Sequence, residues 1–288
     1  MPNRYEIGAG RVDGGRLFEY PGDDNLLTFA QVAERVNALD LETDPNDRLS
    51  LTANFTHNGK ETDLTVTAMP LQKGAEKAPL IIYLPRYGEE SSKAKRLLNI
   101  NVPLNWNIEG IDIFHSAANN QAIISSVTGS QFGYALPMRM LEERITEAHQ
   151  NGQKVGLVGF SYGAHLISAY LSQQPQELPD AIVDVLGGSI RESTLHLLRV
   201  GKLDRRTIQA LEINPDLLPR QDSLHPDLAE RTAAVINLID EMTLDQDNIW
   251  GNADRVIYVP GRHLSVQAEN RALISNLAGQ HLQELLAA

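Results

Sequence analysis

Six short runs are apolar at nearly every position: Leu80 to Leu84, Ile111 to Phe114, Val155 to Val158, Ile182 to Leu186, Val235 to Ile239 and Val256 to Val259. Helical segments separate most of them. A strand that buries only one face alternates apolar and polar residues, so runs apolar on both faces require cover on both sides. The pattern that satisfies this is a parallel sheet layered between helices, an α/β architecture. Two segments ahead of it, Leu49 to Thr56 and Asp63 to Ala68, do alternate, and Asn58-Gly59 between them suits a tight turn with positive φ. The sequence therefore predicts an antiparallel hairpin leading into six parallel strands.

Around this core, Thr28 followed by Gln31 fits a capping box, and Phe29, Val32, Val36 and Leu39 continue at helical spacing. Met138, Leu141, Ile145 and Ala148 form one apolar helix stripe, and Leu273, Leu277 and Leu285 form another. The stretch from Arg191 to Arg231 is helical in flavour, broken by Pro215, Pro219 and Pro226, and is expected to form a lid over the C-terminal strand ends, where open α/β sheets bind ligands. One domain over residues 1–288 is expected, with an N-terminal arm and helix over 1–45 and the helical lid insertion over 191–231.

The chemistry concentrates in Val155-Gly156-Leu157-Val158-Gly159-Phe160-Ser161-Tyr162-Gly163-Ala164, an apolar strand that enters G-x-S-x-G and continues as a helix. A sharp strand-to-helix turn holds such a serine in a strained conformation, and the flanking glycines keep Cβ atoms out of a crowded approach. A dinucleotide-binding loop is the competing explanation, but the glycine spacing does not match G-x-G-x-x-G. At these residues the chain resembles the α/β-hydrolase superfamily, with strand order from about Leu49 onward compatible with that fold.

The resemblance implies a serine hydrolase with Ser161 as nucleophile, followed in chain order by an acid and a histidine. His263, in Val259-Pro260-Gly261-Arg262-His263, looks like the family's histidine loop after its last strand. A serine hydroxyl is a poor nucleophile near neutrality and needs an imidazole to take its proton. Asp240 is the first expectation for the acid, in Asp240-Glu241-Met242-Thr243; Glu241 is the alternative, and Asp245 and Asp247 remain open. The backbone N–H groups of Tyr162 and Tyr87 are the expected oxyanion donors. Arg86 and His115 are candidates to line the substrate pocket. The remaining histidines, His149, His165, His196 and His281 among them, are assigned packing or surface roles. Residues from Ser116 to Gly133, poor in charge, are expected to form a loop beside the site.

Composition limits the partners. A net charge of −12 disfavours nucleic acid, whose phosphates are bound by Lys and Arg. No apolar run is long enough for a membrane span, and the start lacks an export-type apolar region, so a cytoplasmic location is expected. Zero cysteines exclude thiolate metal sites and a cysteine nucleophile, and the eight histidines show no metal-ligand spacing. No cofactor or metal is expected. The expected partner is a small-molecule acyl substrate, and the sequence leaves room for a homo-oligomer. The leading function is hydrolysis of a carboxylic ester or related acyl bond; an acyltransferase with the same residues and a non-catalytic binding protein on the same fold are the alternatives.

Overall fold

The structure, a computed structural model, describes residues 11–12, 16–17, 27–46, 48–57, 60–98, 100–113, 126–200, 205–219, 226–263 and 269–287. His115, most of the stretch assigned to a loop before Gly133, the Asn58-Gly59 turn and most of the N-terminal arm lie outside the described residues. A two-residue ladder pairs β1 (Arg11–Val12) with β2 (Arg16–Leu17). The main sheet has nine strands: β3 (Glu42–Thr43), β4 (Leu49–His57), β5 (Lys60–Gln72), β6 (Leu80–Leu84), β7 (Asn107–Asp112), β8 (Val155–Phe160), β9 (Ala181–Val185), β10 (Thr232–Ile236) and β11 (Arg255–Tyr258). Their order is β11-β10-β9-β8-β6-β7-β5-β4-β3.

The expected hairpin forms, with Leu51 opposite Val66 and Ala53 opposite Leu64, so the apolar halves of both strands share one buried face. β5 runs past the expected Ala68 because its far end pairs antiparallel with β7, through a register shift between Pro70 and Gln72. From β7 across to β11 the remaining six strands are parallel. All residues of β6, β8, β9 and β10 are buried, which explains why these strands read as apolar runs with Asp184 and Thr232 as their polar residues. Fully burying each Leu, Ile or Val there contributes about 1.5–3 kcal/mol.

One face of the sheet is covered by α1 (Phe29–Asn37), α3 (Val127–Gln150) and α4 (Tyr162–Ser172); α2 (Ser91–Leu98) and the C-terminal α9 (Arg271–Leu286) cover the other. The Thr28/Gln31 capping box is present, and Phe29, Val32 and Val36 are buried. Met138, Leu141, Ile145 and Ala148 are buried in α3. That helix starts at Val127, capped by the Ser126 hydroxyl, so the second half of the expected loop is helical instead. In α9 the buried side chains are Ile274, Ala278, His281, Leu282 and Leu286, whereas Leu273 is exposed; the apolar stripe is rotated one residue from the expected one.

Between β9 and β10 lie α5 (Ile190–Val200), α6 (Arg205–Ile213), a 3-10 turn (Pro215–Leu217) and α7 (Pro226–Ala229). Leu195, Leu211, Leu217 and Leu218 join the same core as α1. The short α8 (Gln246–Trp250) follows β10. Among the described residues no helix is long and apolar enough to cross a membrane.

Candidate active site

Ser161 sits between β8 and α4 with φ 53° and ψ −107°, a combination that costs energy for any residue with a Cβ. The turn is fixed on several sides. The Ser161 N–H donates to the Val185 carbonyl of β9 at 2.8 Å, and its carbonyl accepts the His165 N–H. A Cβ on Gly163 would lie 2.1 Å from the Leu84 carbonyl oxygen, and one on Gly159 would lie 2.7 Å from the Ala164 nitrogen. The two glycines therefore let α4 press against the ends of β6 and β8.

His263 arrives from the loop after β11 and Asp240 from the loop after β10. The His263 Nε2 lies 2.8 Å from Ser161 Oγ, and its Nδ1 lies 2.6 Å from Asp240 Oδ2. An ionised carboxylate only accepts, so Nδ1 carries the proton and Nε2 is left to accept from the serine hydroxyl. All three residues are buried, with Ser161 8% exposed. Burial pushes the Asp240 carboxyl up; the hydrogen bond and charge of His263, and the N–H groups of Thr243 and Met242 at 2.8 and 2.7 Å, outweigh it and hold the group below its ordinary value.

Glu241, the alternative acid, points elsewhere: its Oε2 accepts the backbone N–H of His263 at 3.2 Å and the residue is exposed. Asp245 sits beside Asn248, and Asp247 accepts the Tyr258 hydroxyl. Of the four carboxylates, Asp240 alone meets the imidazole. The strand before it ends at Ile236 rather than Ile239, leaving Leu238 and Ile239 exposed. Asn237 breaks it, because its N–H is taken by Gln246 Oε1 and its Oδ1 accepts the Ile239 N–H.

Tyr162 opens α4 next to Ser161, which places its backbone N–H at the positive end of the helix. Its side chain is buried, with the hydroxyl donating to the Gly133 carbonyl. Tyr87 lies on the turn after β6, its ring edge-on to that of Tyr162 at 5.8 Å. Arg86 pairs with Glu89 at 2.5 Å and sits 5.7 Å over the Phe160 ring, whose other neighbour is the nearly parallel His263 ring. The cation thus packs on the ring that neighbours the histidine and is already matched by a buried carboxylate.

Three further groups around the site carry no signal in the sequence. Thr243 and Gln246 both donate to Asp240. Phe160 occupies the variable position of G-x-S-x-G, where only the fold shows that it stacks beside His263. His165 is buried as expected of a packed residue, and burial, with the nearby His263 charge, lowers its pKa to about 3. His281 is likewise a packed helix histidine, 2.8 Å from the Arg231 carbonyl. Among the described residues, no cluster of three metal-binding side chains occurs. A surface cavity of about 450 Å³ lies at the other end of the parallel strands, lined by Leu80, Asn107 and Arg144 among others.

No protein-family model matches the chain, and no curated protein matches it. Solved structures do. Est1E from Butyrivibrio proteoclasticus aligns with a TM-score of 0.51 at 11% identity, over 82% of this chain and 99% of that one. A type II thioesterase, BorB, from the borrelidin biosynthetic cluster aligns at 0.47 and 15% identity, over 75% and 96%. A carboxyl esterase from Bacillus coagulans aligns at 0.47 and 9% identity, over 82% and 99%. With its mostly parallel nine-stranded sheet, its leading hairpin and a strand-to-helix turn at Ser161, the chain has the α/β-hydrolase fold.

Proposed function

We propose that the protein is a serine hydrolase that cleaves a carboxylic ester or related acyl bond through an acyl-enzyme on Ser161. The observation that carries this is the hydrogen-bonded chain from Ser161 Oγ through His263 to Asp240, at 2.8 and 2.6 Å, built on a strained serine. Ser161 Oγ attacks the acyl carbon as His263 Nε2 takes its proton, and Asp240 stabilises the imidazolium. The Tyr162 and Tyr87 amides bind the oxyanion. Collapse of the tetrahedral species expels the alcohol or thiol, which receives the proton from His263. Water, deprotonated by the same nitrogen, then attacks the acyl-enzyme; the acid leaves and Ser161 recovers its proton.

The test is intact mass after incubation with a fluorophosphonate. Wild type gains one adduct and Ser161→Ala none. Absence of an adduct on folded wild type would favour a binding protein on a hydrolase fold.

A further inference from the structure

The Asp240 carboxylate is served by more donors than a triad acid needs. Oδ1 accepts the backbone N–H groups of Met242 and Thr243; Oδ2 accepts His263 Nδ1, the Thr243 hydroxyl at 2.7 Å and the Gln246 amide at 2.9 Å. A carboxylate offers about four lone-pair sites, so this one is saturated. The proton directions are determined by the partners. Gln246 Oε1 accepts the Asn237 N–H at 2.9 Å, and an N–H can only donate, so Nε2 must face Asp240. Gln246 Nε2 also lies 2.7 Å from Thr243 Oγ1, which directs the single hydroxyl proton of Thr243 to Asp240 Oδ2. The three side chains are buried, and they join the end of β10 to α8.

We propose that Thr243 and Gln246 are positioning residues that aim Asp240 Oδ2 at His263 and set the pH at which Ser161 becomes reactive. This rests on the hydrolase reading above. With His263 neutral, the His263–Asp240 pair carries one negative charge; protonation of the imidazole cancels it. Donors turned toward Oδ2 stabilise the charged state of the pair and so oppose that protonation. Removing them makes the inactive, protonated imidazole persist to higher pH. The other groups near the pair are His165 of α4, Glu241 on the His263 backbone N–H and Arg86 on the Phe160 ring, the neighbouring Arg262 being exposed, and none is altered by changes at 243 or 246. A purely structural role, bracing the loop between β10 and α8, would lower stability and leave the pH dependence in place.

The experiment follows the rate of fluorophosphonate labelling from roughly pH 5 to 9, together with Tm, for wild type, Thr243→Val, Thr243→Ser and Gln246→Met. Thr243→Val and Gln246→Met are expected to lower the plateau rate about tenfold and to move the acid limb up by about half a pH unit or more, while Thr243→Ser, which keeps the hydroxyl, stays close to wild type. An unmoved acid limb in Thr243→Val, whatever happens to Tm or the plateau, overturns the proposal while leaving the hydrolase reading intact. Failure of wild type to label overturns both. If Gln246→Met does not fold, the Val and Ser pair at position 243 decides alone.

Discussion

Gly163→Ala tests whether the proposed nucleophile, Ser161, depends on the close approach of α4 to β6. The added Cβ would meet the Leu84 carbonyl oxygen at 2.1 Å and the Leu84 carbonyl carbon at 2.5 Å. Both are main-chain atoms of a fully buried strand, so neither can swing aside as a side chain would. Opening the first contact to even 3.0 Å displaces the start of the helix by about 0.9 Å. Overpacking of this kind costs about 1–3 kcal/mol of stability. The same displacement separates Ser161 Oγ from His263 Nε2, and a misplacement near 1 Å lowers reactivity about a hundredfold. Gly152→Ala is the control: its φ is +72°, but nothing lies within 4 Å of an added Cβ, so it should cost about 1 kcal/mol in backbone strain without touching the site. Fluorophosphonate labelling rates, with urea denaturation of the same samples, read both effects. Labelling of Gly163→Ala at the rate of Gly152→Ala would show that Ser161 does not depend on this close approach.

Asp240→Asn should reduce the labelling rate by about a thousandfold or more, because an amide no longer fixes the imidazole tautomer, whereas Glu241→Gln should stay near wild type because an amide oxygen can still accept the His263 N–H. Asp184, on β9 and fully buried with Oδ2 unpartnered, has its carboxyl pushed well up by burial against the opposing Gly187 N–H. Above the unfolded value of 3.8 the unfolded chain has released this proton and the folded chain has not, so the group lowers stability as pH rises, by about 1.4 kcal/mol per unit until it ionises in the fold. Asp184→Asn should abolish that slope in urea midpoints measured across this range; an unchanged slope would show that Asp184 is ionised in the fold.

Strands with both faces buried were legible because burial leaves few polar residues in them, Asp184 in β9 and Thr232 in β10 being the exceptions: Leu80 to Leu84 is predicted and found with identical limits. The error at Val235 to Ile239 has a local cause. Leu238 and Ile239 extend the apolar run, but Asn237 diverts the backbone into a side-chain-capped turn, and hydrophobicity alone does not register that competition. In α9 the apolar residues are dense enough that several faces satisfy helical spacing, and the sheet it meets selects Ile274 over Leu273. Ser161 and His263 could be singled out as candidates because their local segments, a strand-to-helix glycine turn and a Pro-Gly turn, are specific. Asp240 and Glu241 are neighbours with the same chemistry, and only the direction of each side chain separates them. Thr243 and Gln246 left no signal, since buried donors of this kind are ordinary loop residues until their acceptor is known.

Ser161 and His263 are 102 residues apart, and the hydrogen bond between them spans four adjacent parallel strands, β8 to β11. The three pairings join residues 25, 50 and 22 positions apart, and all must be in place before the two side chains meet. Under the proposed function, labelling of Ser161 is therefore a reporter of the finished sheet. Fraying of the β4–β5 hairpin would leave it untouched, while undocking of the short edge strand β11 would silence it with most of the core still in place. Labelling during refolding would time the arrival of that edge.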